Sequence, residues 1–192
     1  MATSFAGLTL DVPRIMGIVN VTPDSFSDGG EAFEPQAAIA HGLALAEQGA
    51  DILDIGGEST RPGADSVSAE EQINRVVPVI KALGEQGLLV SVDTRSAKVM
   101  AAAIEAGASI INDVSALTGD PATLDVITQS SVSVVLMHMQ GDPQSMQAAP
   151  QYDNVTQDVF EYLSQRIEVL KARGIDQSRM AIDPGIGFGK TL

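Results

Sequence analysis

The sequence predicts an α/β protein built from repeated strand–helix units around a parallel sheet. Three observations predict it. Short apolar runs alternate along the chain with segments of helical spacing. The strand candidates are continuous apolar runs, as expected for strands buried on both faces. Two stretches, EQGADILDIG (47–56) and EAGASIINDV (105–114), align without gaps, so one unit design occurs twice.

The elements follow in order. Residues 15–21 form the first strand, which breaks into a loop dense in Asn, Thr, Pro, Asp, Ser and Gly. Residues 35–48 read as a helix, with Ile39, Leu43 and Ala46 at i, i+4, i+7. Gly49 sits where that helix must stop, as Gly107 does in the second copy, each in a left-handed cap. Strands are expected at 52–55, 88–92, 110–114, 132–137 and 180–182. A helix over 69–86 carries Ile73, Val76, Val77 and Ile80 on its apolar side. Another over 155–173 carries Val159, Tyr162, Leu163, Ile167 and Leu170. No linker or low-complexity stretch interrupts the pattern, so residues 1–192 are read as one domain.

Composition bounds the function. The chain is 44% hydrophobic and 19% charged, which suits a folded domain. Its net charge of −14 argues against nucleic acid or an anionic membrane as partner. An anionic small substrate would need local cations or a metal. There is no Cys, which excludes disulfides, thiolate catalysis and Cys-bound zinc or iron–sulfur clusters within these residues. Residues 1–13 lack the basic and apolar regions of a signal peptide, and no apolar run approaches a membrane span. A cytoplasmic location is expected.

Polar residues collect where the strands end: Asn20, Asp54, Asp93, Asn112 with Asp113, His138 and Asp183. Any one of these suits a turn or a helix cap. As a series they point to a shared polar pocket, because parallel β/α folds bind ligands at the carboxyl ends of their strands.

The individual motifs each admit a plainer reading. DPGIGFGKT (183–191) fails as a phosphate-binding P-loop because Pro184 occupies the position of the first Gly. It reads as a strand-end carboxylate followed by a loop whose backbone and Lys190 approach a ligand. GGESTRPGA (56–64) sets Thr60 beside Arg61, a pair suited to phosphate; the alternative is a surface Arg in an ion pair. His41 reads as a solvated helix residue and His138 as a partly buried structural one. Met137 and Met139 read as core filler or an adaptable pocket wall. Two His so placed make no zinc signature; a hard, oxygen-bound ion such as Mg2+ suits the strand ends better.

Together the stretches GIVNVTPDSFSDGG, GADILDIGGESTRPGA, VSVDT, GASIINDVSA, LMHMQGDPQSMQ and DPGIGFGKT resemble the dihydropteroate synthase family along the length of the chain. The resemblance implies a (β/α)8 TIM-barrel type fold with about six β/α units present here, and two more expected beyond residue 192. It implies condensation of 6-hydroxymethyl-7,8-dihydropterin diphosphate with p-aminobenzoate to give 7,8-dihydropteroate and pyrophosphate, with Mg2+ as cofactor. Carried over by motif, Asn20 would hold Mg2+ and the pyrophosphate. Thr60 would contact the pterin diphosphate, with Arg61 near the diphosphate or the aminobenzoate. Asp93, Asn112 and Asp183 would bind the pterin ring, whose donor and acceptor edge suits carboxylates and amides. Met137 would pack on the ring, Phe26 and Phe188 would wall the aminobenzoate pocket, and Lys190 would approach the ligand. Family members are commonly dimers, so a homodimer is expected. Two other readings compete: a pterin-binding methyltransferase domain acting on methyltetrahydrofolate, which needs neither NVTPDSF nor ESTRPG, and a non-catalytic fragment that binds a ligand or partner.

Overall fold

The fold is known from a computed structural model, which describes residues 4–22, 35–59, 67–141, 146 and 150–190. Its centre is a six-stranded, all-parallel sheet: β3 (Met16–Asn20), β4 (Ile52–Gly56), β5 (Val90–Asp93), β6 (Ile110–Asp113), β7 (Ser133–Met137) and β8 (Met180–Asp183). The strands lie side by side in chain order. Five α-helices connect or flank them: α1 (Pro35–Glu47), α2 (Ala69–Glu85), α3 (Ala97–Glu105), α4 (Thr123–Thr128) and α5 (Val155–Ala172). The expected strands and the three expected helices all form, with ends shifted by a residue or two.

The pleat divides the sheet residues by parity. Val19, Leu53, Ile55, Val92, Ile111, Val134 and Leu136 face the helices and are fully buried against residues such as Val76, Ile80, Leu83, Met100 and Leu163. The other parity faces the concave interior. There Ile52 and Ile110 form a second apolar cluster with Met16, Leu89, Val135 and Ala181. This cluster is stoppered from below by Phe5 and Leu8 of an antiparallel hairpin, β1 (Ser4–Phe5) and β2 (Leu8–Thr9). The interior is therefore apolar at the amino ends of the strands and polar at their carboxyl ends.

Periodicity misread one helix face. In α1 the buried positions are Ala38 and Gly42, while Leu43, assigned to the apolar stripe, is exposed. The reason is close approach: a Cβ at Gly42 would come within 2.9 Å of Leu83 of α2. Small residues set this contact, and a hydrophobicity pattern does not register them. The sequence pattern does not mark the hairpin or the helices α3 and α4. α3 is rich in Ala and α4 has only six residues, so neither shows a strong stripe.

The repeated unit design is real in three dimensions. Gly49 and Gly107 have φ of 104° and 110°. Each donates to a carbonyl three residues back, Ala46 or Ile104, and the next residue reaches five back, to Leu45 or Ala103. This is the same left-handed cap, and it turns each helix into the following strand.

Candidate functional site

Register aligns the strand ends. Asn20 pairs with Gly56, Gly56 with Asp93, and Asp93 with Asn112, so four neighbouring strands place these residues at one level. Their parity points the three side chains to the concave face, above the apolar floor. Gly56 keeps a gap open in the row: a Cβ there would lie 3.4 Å from Asn20 Oδ1 and 3.9 Å from Asp93 Cβ. Asn20 and Asp93 thus converge over a residue with no side chain.

Asp54 lies one inward position below the row and is buried. Its Oδ2 accepts a 2.9 Å hydrogen bond from Nδ2 of Asn112, two strands away. Its Oδ1 and the Oγ of Ser91, its register neighbour on β5, fall outside good hydrogen-bond geometry, although the Ser91 hydroxyl is near enough to favour the ionised carboxyl. Burial pushes the Asp54 carboxyl above the usual range, with the Ser91 hydroxyl and then the Asn112 amide working against that. Asp93 is pushed up further. Burial is the main cause; the Asp54 and Asp113 carboxylates add repulsion, which Arg95 partly offsets. The pocket thus holds carboxyls short of donors, a setting that favours a ligand bringing N–H groups.

Asp113, which the strand-end series set beside Asn112, has the opposite parity and faces the helix layer. It is fully buried and organises the next loop, accepting from Ser115 N (2.7 Å), Ser115 Oγ (2.6 Å) and Leu117 N (3.1 Å). That loop holds Ala116 and Leu117 in the left-handed region, at φ 52° and 61°. Arg166 and Tyr162 of α5 bind its carbonyls, Ala116 O at 2.8 Å and Ser115 O at 3.2 Å.

The other wall is the corner between β7 and the chain after β8. Asp183 ends β8 opposite Met137 and accepts from Gly185 N at 2.8 Å. Gly185 has φ 66°, and a Cβ there would run into the His138 carbonyl oxygen, so this turn rests backbone against backbone on the end of β7. Met137 is buried beneath it, and Phe188 is half-buried. Lys190 turns back on its own loop: its Nζ donates to the carbonyls of Gly185 (2.8 Å), Phe188 (3.0 Å) and His138 (3.1 Å), and lies 3.0 Å from His138 Nδ1. An ammonium has no acceptor to offer, so Nδ1 accepts and the imidazole proton sits on Nε2. Burial and then the Lys190 charge hold His138 below its ordinary range. Tyr162 meets the ring edge-on at 5.0 Å. Tyr152 Oη donates to Gly189 O at 2.6 Å, closing the corner from outside.

The structure thus brings Asn20, Asp93 and Asn112 together on one face and sets Met137, Asp183, Phe188 and Lys190 at the adjoining corner. Phe26, Thr60 and Arg61 lie outside the described residues. The stem on either side of 60–66 is well anchored: Glu58 accepts from Val67 N at 2.9 Å, and Arg75 of α2 donates to Gly57 O at 3.0 Å. His41 is exposed on α1. Among the described residues no group of three or more His, Cys, Asp or Glu is placed to hold a metal, and no helix is long and apolar enough to cross a membrane. Sequence reasoning missed the Lys190–His138 contact and the Asp54–Asn112 bond. Asp54 gave one signal: a carboxylate at the inward parity of an otherwise apolar strand.

Residues 16–192 match the pterin binding enzyme family. The dihydropteroate synthase of Escherichia coli K12 is 44% identical over 97% of this chain and 67% of its own length. The Xanthomonas albilineans dihydropteroate synthase solved with 4-aminobenzoic acid superposes with a TM-score of 0.88 at 56% identity, over 96% of this chain and 65% of that one. The same enzyme in complex with 7,8-dihydropteroate gives a TM-score of 0.83 at 52% identity, over 96% and 64%. The chain therefore spans about two-thirds of the length of the relatives it matches.

Proposed function

Because this chain belongs to the family of pterin binding enzymes, we propose that it is the pterin-reading portion of a dihydropteroate synthase, a transferase of folate biosynthesis. The substrates are 6-hydroxymethyl-7,8-dihydropterin diphosphate and p-aminobenzoate; the products are 7,8-dihydropteroate and pyrophosphate. The observation that carries the proposal is the row of inward acceptors at the strand ends. The carboxylate of Asp93 and the amide of Asn112 take no hydrogen-bond partner except Asp54 among the described residues. A flat heterocycle edged with N–H donors supplies what they lack.

In this reading Asp93, Asn112 and Asp183 hold the pterin edge, and Met137 packs on its face. Ring N–H groups donated to Asp93 favour its ionised form, against the burial that raises it in the free protein. The bond between the pterin methylene and the diphosphate oxygen breaks, and its electron pair leaves with pyrophosphate. The carboxylates of the row tolerate the cationic methylene that remains. The amine of p-aminobenzoate attacks it, forms the C–N bond and releases a proton. Phe26 and Phe188 wall the aminobenzoate, while Thr60 and Arg61 serve the anionic part of the substrates; Lys190, spent on backbone carbonyls, holds the loop that carries Phe188. Mg2+ suits Asn20, whose exposed amide offers a hard oxygen beside the row, since this ion binds through few protein oxygens plus substrate phosphates. When bound it would offset charge on the leaving pyrophosphate. A cytoplasmic location and a homodimeric state belong to the same proposal.

The test is a thermal-shift titration with the pterin diphosphate and Mg2+, followed by a turnover assay in a chain carrying the full family length. The expected result is a saturable rise in Tm that Asp93→Ala abolishes. A Tm indifferent to the pterin in the full-length protein would overturn the proposal.

A further inference from the structure

We infer that Asp54 is a positioning residue that sets which way the Asn112 amide faces. An asparagine amide is nearly symmetric in shape but not in chemistry: one branch donates and the other accepts. Turning it over exchanges an acceptor for a donor at the pocket mouth and loses the ligand's hydrogen bond. Something must therefore choose between the two orientations.

Asp54 makes the choice. Nδ2 of Asn112 donates to Asp54 Oδ2 at 2.9 Å, whereas an amide oxygen turned toward the same carboxylate would meet another acceptor. The opposite branch, Oδ1, is then directed away from Asp54, and it accepts no bond from any described residue. The bond spans β4 to β6 across β5, so both backbones are fixed by the sheet. Asp54 is buried to 3% exposure, which keeps bulk water from competing for the bond. A buried carboxylate is a costly thing to keep for stability alone. Its return is a defined acceptor at Asn112.

This inference rests on the pterin reading, but one arm of its test does not. In the ¹⁵N-labelled chain, the side-chain amide of Asn112 is identified by its loss in Asn112→Ser. Asp54→Asn should move those resonances, because a carboxylate acceptor becomes an amide able to present either branch. In the same variant, affinity for 6-hydroxymethylpterin should fall about tenfold, the worth of roughly one net hydrogen bond, with Tm unchanged or raised. The exchange Asp54→Asn with Asn112→Asp keeps the net charge and restores the bond with donor and acceptor swapped. It leaves a carboxylate oxygen, again an acceptor, facing the mouth, and should recover most of the affinity. Unmoved Asn112 amide resonances in Asp54→Asn would overturn the inference, as would parental pterin affinity in that variant or no recovery in the exchange. A parent that binds no pterin would overturn the proposed function, while the amide resonances would still report on Asp54.

Discussion

Lys190 Nζ and His138 Nδ1 meet at 3.0 Å, and the same ammonium gathers three backbone carbonyls from two segments of chain. The contact clasps the segment after β8 onto the end of β7. Lys190→Met should leave those carbonyls short of a donor and cost about 1–3 kcal/mol. Lys190→Arg should recover less than half of that, because a planar fork does not match acceptors converging on one point. Urea denaturation with an unchanged m-value checks both; a midpoint unmoved by Lys190→Met would show that the clasp carries no stability.

Asp93 should trade stability for binding. Its carboxyl is raised in the folded chain, so the folded state holds its proton to higher pH than the unfolded state does. Stability is therefore lost as pH rises from the ordinary carboxylate value, about 4, through the folded value. Asp93→Asn removes that loss. It should melt together with the parent near pH 4 and above it at pH 7.5, by about 0.5–2 kcal/mol, while losing pterin binding. Melting curves across pH, beside a pterin titration, read both effects; parallel curves at all pH values would contradict the assignment.

Gly185→Ala should be among the most damaging changes in the site corner. The substitution forces a side chain into a left-handed φ and against the His138 carbonyl. A loss of about 2–4 kcal/mol is expected, since strain and steric overlap add. Gly84→Ala, where nothing lies within 4 Å, is the matched control and should be neutral or stabilising. Equal melting temperatures for the two variants would refute the backbone-on-backbone contact.

The edge strands should make the isolated 192-residue polypeptide self-associate and turn over substrate poorly. Among the described residues β3 and β8 each pair on one side only, and Ile18 and Ile182 on them are about half exposed. Sedimentation at micromolar concentration should show oligomers that Ile182→Lys reduces. A monodisperse monomer with robust turnover would sink this expectation.

The sheet was legible because its strands are apolar on both faces, which makes short runs such as Ile110–Asp113 stand out from the helices between them. The polar end of the sheet was legible because β3, β5, β6 and β8 each close on an Asn or Asp unlike the apolar residues before it. Side-chain direction was not. Asn112 and Asp113 are neighbours in sequence but face opposite layers, and only register shows which belongs to the pocket. The misread face of α1 has a similar origin, since Gly42 and Ala38 are buried for their small size. The Lys190 clasp was hidden because its acceptors are backbone carbonyls, which every residue carries alike.

The order of the strands has a kinetic consequence. Each strand of the sheet pairs with the one next to it in sequence, so every β/α unit docks onto a surface that the chain has already made. Closing each new contact costs only the entropy of one short loop and a helix. A ribosome emptying from the amino end would release β3 before the other strands of this sheet, and each later strand would find its template waiting. The clasp at Lys190 forms near the end of that sequence. The polar mouth is therefore completed after the layers beneath it, and a fault there should slow binding without stalling the chain.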